Sequence, residues 1–98
     1  MMSAMAFVSI TPLGDGESVS CYVSRAVKVI KESGLEWQLT PMGTIIEGDR
    51  LEDVLAVINK ASEILEECNR LSISIKIDYR RDRAGGLDKK VKSVLEKL

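Results

Sequence analysis

Ten consecutive residues, Leu71 to Arg80, alternate without a break. Leu71, Ile73, Ile75, Ile77 and Tyr79 fall on one side, and Ser72, Ser74, Lys76, Asp78 and Arg80 on the other. A period of two is the signature of a β-strand with one apolar face. Such a strand needs other strands beside it and a layer over its apolar side. Residues 4–11 form a candidate neighbour. They carry Met5 and Phe7 on one face and Ala6, Val8 and Ile10 on the other, and the segment is punctuated by Pro12-Leu13-Gly14-Asp15-Gly16. Apolar residues on both faces suit a central strand, or one in a sheet covered on both sides.

Helical spacing supplies the covering layer. Val19, Val23, Ala26, Val27 and Ile30 make one stripe, predicting a helix over 18–33 with Glu17 or Ser18 as cap and Gly34 as its stop. Leu35, Trp37 and Leu39 then alternate with polar residues. Pro41-Met42-Gly43 is a turn, and Thr44-Ile45-Ile46-Glu47 is a short strand closed by Gly48, so the two strands form a hairpin. Asp49 with Glu52 resembles a capping box opening a second helix. Its predicted buried face is Leu51, Val54, Leu55, Ile58, Ala61, Leu65 and Cys68, with Asn69 at its end. A third helix follows the charged turn 80–86, with Leu87, Val91, Val94, Leu95 and Leu98 as its stripe. The order β-α-β-β-α-β-α predicts an α+β fold. It is a ferredoxin-like split β-α-β-β-α-β sandwich with an additional C-terminal helix, residues 1–98 forming a single domain. Both main helices then share one face of the sheet. The other face, partly apolar, is expected to be bare and to bury itself against a second subunit, making the protein a homodimer or larger.

Composition excludes several functions. The chain is 45% apolar and 30% charged with a formal charge of -1, as expected of one soluble globular domain rather than a disordered or disulfide-built chain. The near-zero charge argues against nucleic acid as a partner, and no apolar run is long enough to span a membrane. There is no histidine, which removes Ser-His and Cys-His nucleophiles and every His-ligated metal site. Cys21 and Cys68 have no nearby cysteine, so neither a zinc site nor a CxxC redox site can be drawn. Both fall in predicted helices and read as buried, reduced thiols in a cytoplasmic protein. No pair of residues reads as a general acid and base, so the chain is expected not to be an enzyme.

Four places could bind something. Ser18 and Ser20 sit at a helix start, where amides and hydroxyls either cap the helix or receive an anion. Thr44 and Glu47 offer a hydroxyl and a carboxylate on one strand. Three residues apart on a regular strand they face opposite sides, unless a bulge intervenes. Trp37, the only tryptophan, is either a stacking platform or core packing. The stretch Lys76 to Arg83 mixes arginines and lysine with aspartates. It suits a phosphate, ion pairs between subunits, or a solvated strand end.

With these residues laid out, the chain resembles the YkoF-like thiamine-binding protein family. The resemblance rests on Gly16-Glu17-Ser18-Val19-Ser20-Cys21-Tyr22-Val23, Ser33-Gly34-Leu35, Pro41-Met42-Gly43-Thr44-Ile45-Ile46-Glu47-Gly48, Ile75-Lys76-Ile77-Asp78-Tyr79-Arg80-Arg81-Asp82 and the closing Lys90, Val91, Ser93 and Val94. It implies a ferredoxin-like subunit that forms dimers and often homotetramers. It also implies binding of thiamine or its hydroxymethylpyrimidine moiety near a subunit interface, without catalysis and without a cofactor. The residues expected to take part are Ser18, Ser20, Trp37, Met42, Gly43, Thr44, Ile46 and Glu47. Glu47 would accept from the amino group of the pyrimidine, Thr44 would donate or accept, and Met42, Ile46 and Trp37 would supply apolar surface. The competing expectation is a structural or regulatory homo-oligomer with an anion site or no defined ligand.

Overall fold

The computed structural model describes residues 2–14, 19–82 and 86–98. In chain order they form β1 (Ser3–Pro12), α1 (Val19–Glu32), β2 (Glu36–Thr40), β3 (Gly43–Gly48), α2 (Leu51–Glu63), β4 (Leu71–Arg80) and α3 (Gly86–Leu95). The sheet order is β2-β3-β1-β4, antiparallel throughout, which is the ferredoxin-like arrangement with an added C-terminal helix. β1 is central, flanked by β3 and β4.

Register decides which side chains share a face, because directly opposed residues in an antiparallel pair point the same way. Ala4, Ala6 and Val8 lie opposite Gly48, Ile46 and Thr44 of β3 and opposite Tyr79, Ile77 and Ile75 of β4. Trp37 and Leu39 of β2 join the same face through Ile46 and Thr44. α1 and α2 pack here, against β1, β2 and β3. The small side chains of Ala4 and Ala6 let the helices approach closely, and both are fully buried with Ile46, Val54, Ile30 and Leu65.

Several sequence expectations give way to local geometry. Pro12 belongs to β1, opposite Leu71, instead of opening the turn. In α1 the buried residues are Ala26, Val29 and Ile30, while Val19 is exposed and Val23 and Val27 are half-buried. The proposed caps Glu17 and Ser18 lie outside the described residues. Gly34 ends the segment with φ +86°, a conformation that glycine adopts without the Cβ penalty. α2 begins one residue later than the capping-box reading placed it. Arg50 is its N-cap, with no side-chain cap hydrogen bond, and Glu52 pairs with Arg50 instead of reaching back to Asp49. Leu55 is exposed because it falls beside the Leu51-Val54-Ile58-Ala61 stripe. The helix stops at Glu63 and gives way to tighter turns. Leu65 N–H donates to the Ser62 carbonyl and Cys68 N–H to the Leu65 carbonyl. These three-residue steps keep Leu65 and Cys68 pointing at the core even though they lie past the helix. Asn69 therefore does not terminate α2. Cys68 is buried as expected; Cys21 is exposed, on the outer side of α1.

The face opposite the two helices is not bare. It carries Met5 and Phe7 of β1, Ile45 and Glu47 of β3, and Gln38 of β2. α3 lies against it, burying Leu87. Lys90 Nζ bonds the Asp78 carboxylate and ties α3 to β4. On the other layer the Arg25 guanidinium bonds Glu67 and donates to the Ile64 carbonyl at 3.0 Å, tying α1 to the turn after α2. The hydrogen bond from Lys90 holds the Asp78 pKa below its ordinary value, and that from Arg25 does the same for Glu67. A carboxylate with a depressed folded-state pKa stabilises the fold at pH above the ordinary carboxylate range and loses that contribution as pH falls through the lowered value. Acidification is therefore expected to loosen α3 and the turn 64–68 first. Amide exchange at descending pH should show these segments deprotecting ahead of β1. Both pairs are solvent-exposed, so the effect is small and should shrink with added salt.

Candidate binding cleft

The expected ligand residues divide between the two faces of the sheet. Thr44, Ile46 and Trp37 are on the helix-covered face, and Glu47 is on the α3 face. β3 runs regularly through this stretch, so strand alternation keeps Thr44 and Glu47 apart. Ile46 is completely buried, leaving no surface for a ligand. Trp37 is half-buried and packs against the core, the second of its two sequence readings. It cannot stack over anything that Glu47 holds within one protomer.

Glu47 is already committed. It is 7% exposed, and its carboxylate accepts three hydrogen bonds: Ser3 Oγ at 2.7 Å, Gly86 N–H at 2.8 Å and Leu87 N–H at 3.2 Å. The last two donors are the opening amides of α3, which have no partner within the helix. A carboxylate at a helix start also meets the positive end of the backbone dipole. Glu47 thus caps α3 from a strand 39 residues earlier. The residues before α3 are Arg83-Ala84-Gly85, with no Ser, Thr, Asp or Asn at the usual capping place. That gap was the one sequence signal that α3 needed a capping group from elsewhere. Ser3 and Gly86, the other members of this network, were not among the sequence candidates.

Met42, Gly43 and Thr44 do come together. They line a cleft of about 210 Å³ between α1, the β2–β3 hairpin and the end of β1, with Val8, Ala26 and Ile30 as apolar walls. The hairpin that forms its lip is organised by Thr40. Its hydroxyl donates to the Gly43 carbonyl at 2.8 Å and accepts from the Met42 and Gly43 amides at 3.3 and 3.2 Å. This holds Met42 79% exposed at the mouth. A second groove along α1, lined by Ser20, Lys28, Lys31 and Glu32, shares Val23, Val27 and Leu39 with the cleft. Ser20 therefore sits on its extension, while Ser18 lies outside the described residues.

Gly43 cannot carry a side chain. A Cβ there would sit 2.7 Å from Phe7 Cζ and 2.8 Å from the Val8 carbonyl oxygen. The oxygen is backbone and has little room to yield. Gly43→Ala is expected to destabilise the protein by about 1–3 kcal/mol through overpacking, measured as a shift in the urea unfolding midpoint. An unchanged midpoint would show that the hairpin moves freely away from β1.

Thr44 is the buried polar residue of the cleft, which Ser9, Thr11 and Thr40 also line. The residue is 4% exposed, and its hydroxyl makes no hydrogen bond among the described residues. A buried polar group without a partner costs about 1–3 kcal/mol. Such groups are few in a native fold, and each calls for an explanation such as an ordered water, an ion or a functional role. Among the described residues no group of three or more His, Cys, Asp or Glu is placed to hold a metal ion, and no helix is long and apolar enough to cross a membrane.

The fold and cleft define a ferredoxin-like α+β domain with an apolar-walled cleft that holds one buried threonine hydroxyl. Residues 6–95 match the family model of the thiamine-binding proteins, and the chain belongs to that family. It is 40% identical over 97 residues to UPF0045 protein MJ1052 of Methanocaldococcus jannaschii, covering 98% of this chain and 96% of the relative. The crystal structure of that relative superposes with a TM-score of 0.85 at 39% identity, over 98% of this chain and 99% of that one. UPF0045 protein YqgV of Bacillus subtilis is 39% identical over 102 residues, 97% of each chain. A candidate thiamine biosynthesis/salvage protein from Thermotoga maritima has a TM-score of 0.82 over 94% of this chain and 98% of its own. At 19% identity that likeness concerns the fold.

Proposed function

We propose that this protein binds thiamine or its hydroxymethylpyrimidine moiety without catalysing a reaction, and that it works as a homodimer or homotetramer. The observation that carries the reading is the unpartnered, buried Thr44 hydroxyl in an apolar-walled cleft of a thiamine-binding family member. An aminopyrimidine offers a donor amino group and acceptor ring nitrogens on a flat apolar ring. The Thr44 hydroxyl serves as donor or acceptor, and Val8, Ala26 and Ile30 meet the ring faces. Met42, exposed and flexible, folds over the outer edge of the ring. The groove beyond, with Lys28 and Lys31 against Glu32, receives the remainder of the molecule and favours phosphorylated thiamine over the free cation. The cleft lies beside an exposed apolar edge. Its wall residues Val8 and Ile10 sit opposite Ile75 and Ile73 of β4, both more than 40% exposed.

Calorimetric titration with thiamine, its phosphates and hydroxymethylpyrimidine tests the reading. Saturable 1:1 binding per protomer, tightest for a phosphorylated form, is expected. Heat from inorganic phosphate alone would favour an anion-binding assembly protein instead.

A further inference from the structure

The α3 face of the sheet holds a separate groove, across the sheet from the cleft that Thr44 lines. α3 buries Leu87 and makes its main contacts with β1 rather than β4. Between the helix and β4 this leaves a groove of about 400 Å³. Its floor is Met5, Asp78 and Arg80, which share a face because Met5 lies opposite Asp78 and strand side chains alternate. Its wall is Lys89, Lys90, Ser93 and Val94, which spacings of three and four residues put on one side of α3.

The chain carries a formal charge of -1, yet this groove is cationic. Arg80, Lys89 and Lys90 line it, and Lys76 stands on the same face of β4 two residues before Asp78. Asp78 is the one carboxylate lining it among the described residues, and Lys90 already bonds that group. Glu47 lies close by, but its charge is met by Ser3 and by the opening amides of α3. The helix start is therefore taken, and an incoming anion meets side-chain cations. Asp82 approaches Arg80 at Nε only, 3.7 Å away, and is itself largely exposed, so it neutralises Arg80 little. The planar guanidinium suits two oxygens of one phosphate or carboxylate. We propose that this groove binds a small organic anion, with its phosphate or carboxylate group on Arg80 and Lys89 and its apolar body on Met5 and Val94. Lys90 divides its charge between Asp78 and the ligand, so Asp78 holds the affinity down. A ligand seated here bridges β4 and α3 and clamps the helix to the sheet.

The test is independent of the thiamine reading, because the two sites lie on opposite faces and amide shifts in NMR spectra report each one separately. Phenyl phosphate added to the full chain is expected to shift the amides of residues 80 and 89–94 saturably, below about 10 mM for a ligand of this size. Shifts beside Lys28 and Lys31 belong to the other groove and are read apart. Phenol has the apolar body without the charge, and inorganic phosphate the charge without the body. Each should bind at residues 80 and 89–94 at least about 10-fold more weakly than phenyl phosphate. R80Q should weaken phenyl phosphate by about 10-fold or more. K89Q, at an exposed helix position, should weaken it by a smaller factor and serves if R80Q fails to fold. D78N removes a like charge and releases Lys90, so it should tighten binding by about 3-fold or more, which a merely structural Asp78 would not do. No shift at residues 80 and 89–94, phenol or phosphate binding there as well as phenyl phosphate, cation variants that bind like the parent, or a D78N variant no tighter than the parent would each overturn the proposal.

Discussion

Glu47→Ala is expected to detach α3 and lower stability by about 2–4 kcal/mol. Hydrogen bonds to a charged group contribute about 1.5–3 kcal/mol each, and the three made by Glu47 share one carboxylate, so they do not add in full. The alanine leaves the Gly86 and Leu87 amides and the Ser3 hydroxyl facing a small buried void. At about 4–8 °C per kcal/mol for a chain of this size, the melting temperature should fall by roughly 10–30 °C. Amide exchange should show α3 losing protection before β1 does. Glu47→Gln keeps the shape, but its NH₂ group meets donors on one side, so an intermediate loss is expected. A melting temperature within about 2 °C of the parent would mean that α3 is held by Leu87 packing and the Lys90–Asp78 pair alone. This differs from the sequence-based expectation for Glu47, in which a recognition carboxylate could be altered with the fold untouched.

Thr44→Val should move stability and binding in opposite directions. Valine matches threonine in shape and removes a hydroxyl that has no partner among the described residues. Deleting an unsatisfied buried hydroxyl is expected to raise stability by about 1 kcal/mol, seen as a higher urea midpoint with an unchanged slope. The same change removes the cleft's buried, unpartnered hydroxyl. Affinity for hydroxymethylpyrimidine or thiamine should fall by roughly 10- to 100-fold, at 1.4 kcal/mol per decade. A variant less stable than the parent would show that the hydroxyl is satisfied in solution, for instance by an ordered water. A variant that binds as tightly as the parent would move the recognition group away from Thr44.

Much of this protein was determined by the order of its residues alone. The period of two in Leu71–Arg80, the helical stripes and the turn at Pro41-Met42-Gly43 give the β-α-β-β-α-β-α order, and the handedness of the crossovers leaves little choice of topology. These are local signals with fixed periods, so they survive without knowledge of what packs where. The motif 41–48 likewise pointed to the hairpin that forms the lip of the cleft. What residue order did not determine was which of that motif's side chains work together. Strand alternation already set Thr44 and Glu47 on opposite faces unless a bulge intervened, and only the regular register of β3 shows that none does. The partners of Glu47 are Ser3, 44 residues before it, and α3, 39 and 40 residues after it, and no local rule links positions so far apart. Whether Trp37 faced a pocket or the core depended on the register of β2 against β3, which tertiary packing sets. The exposed edge of β4 arose in the same way. Alternation makes Ile73, Ile75 and Ile77 look like core, but the two helices make their main contacts with the other three strands and leave these side chains partly exposed.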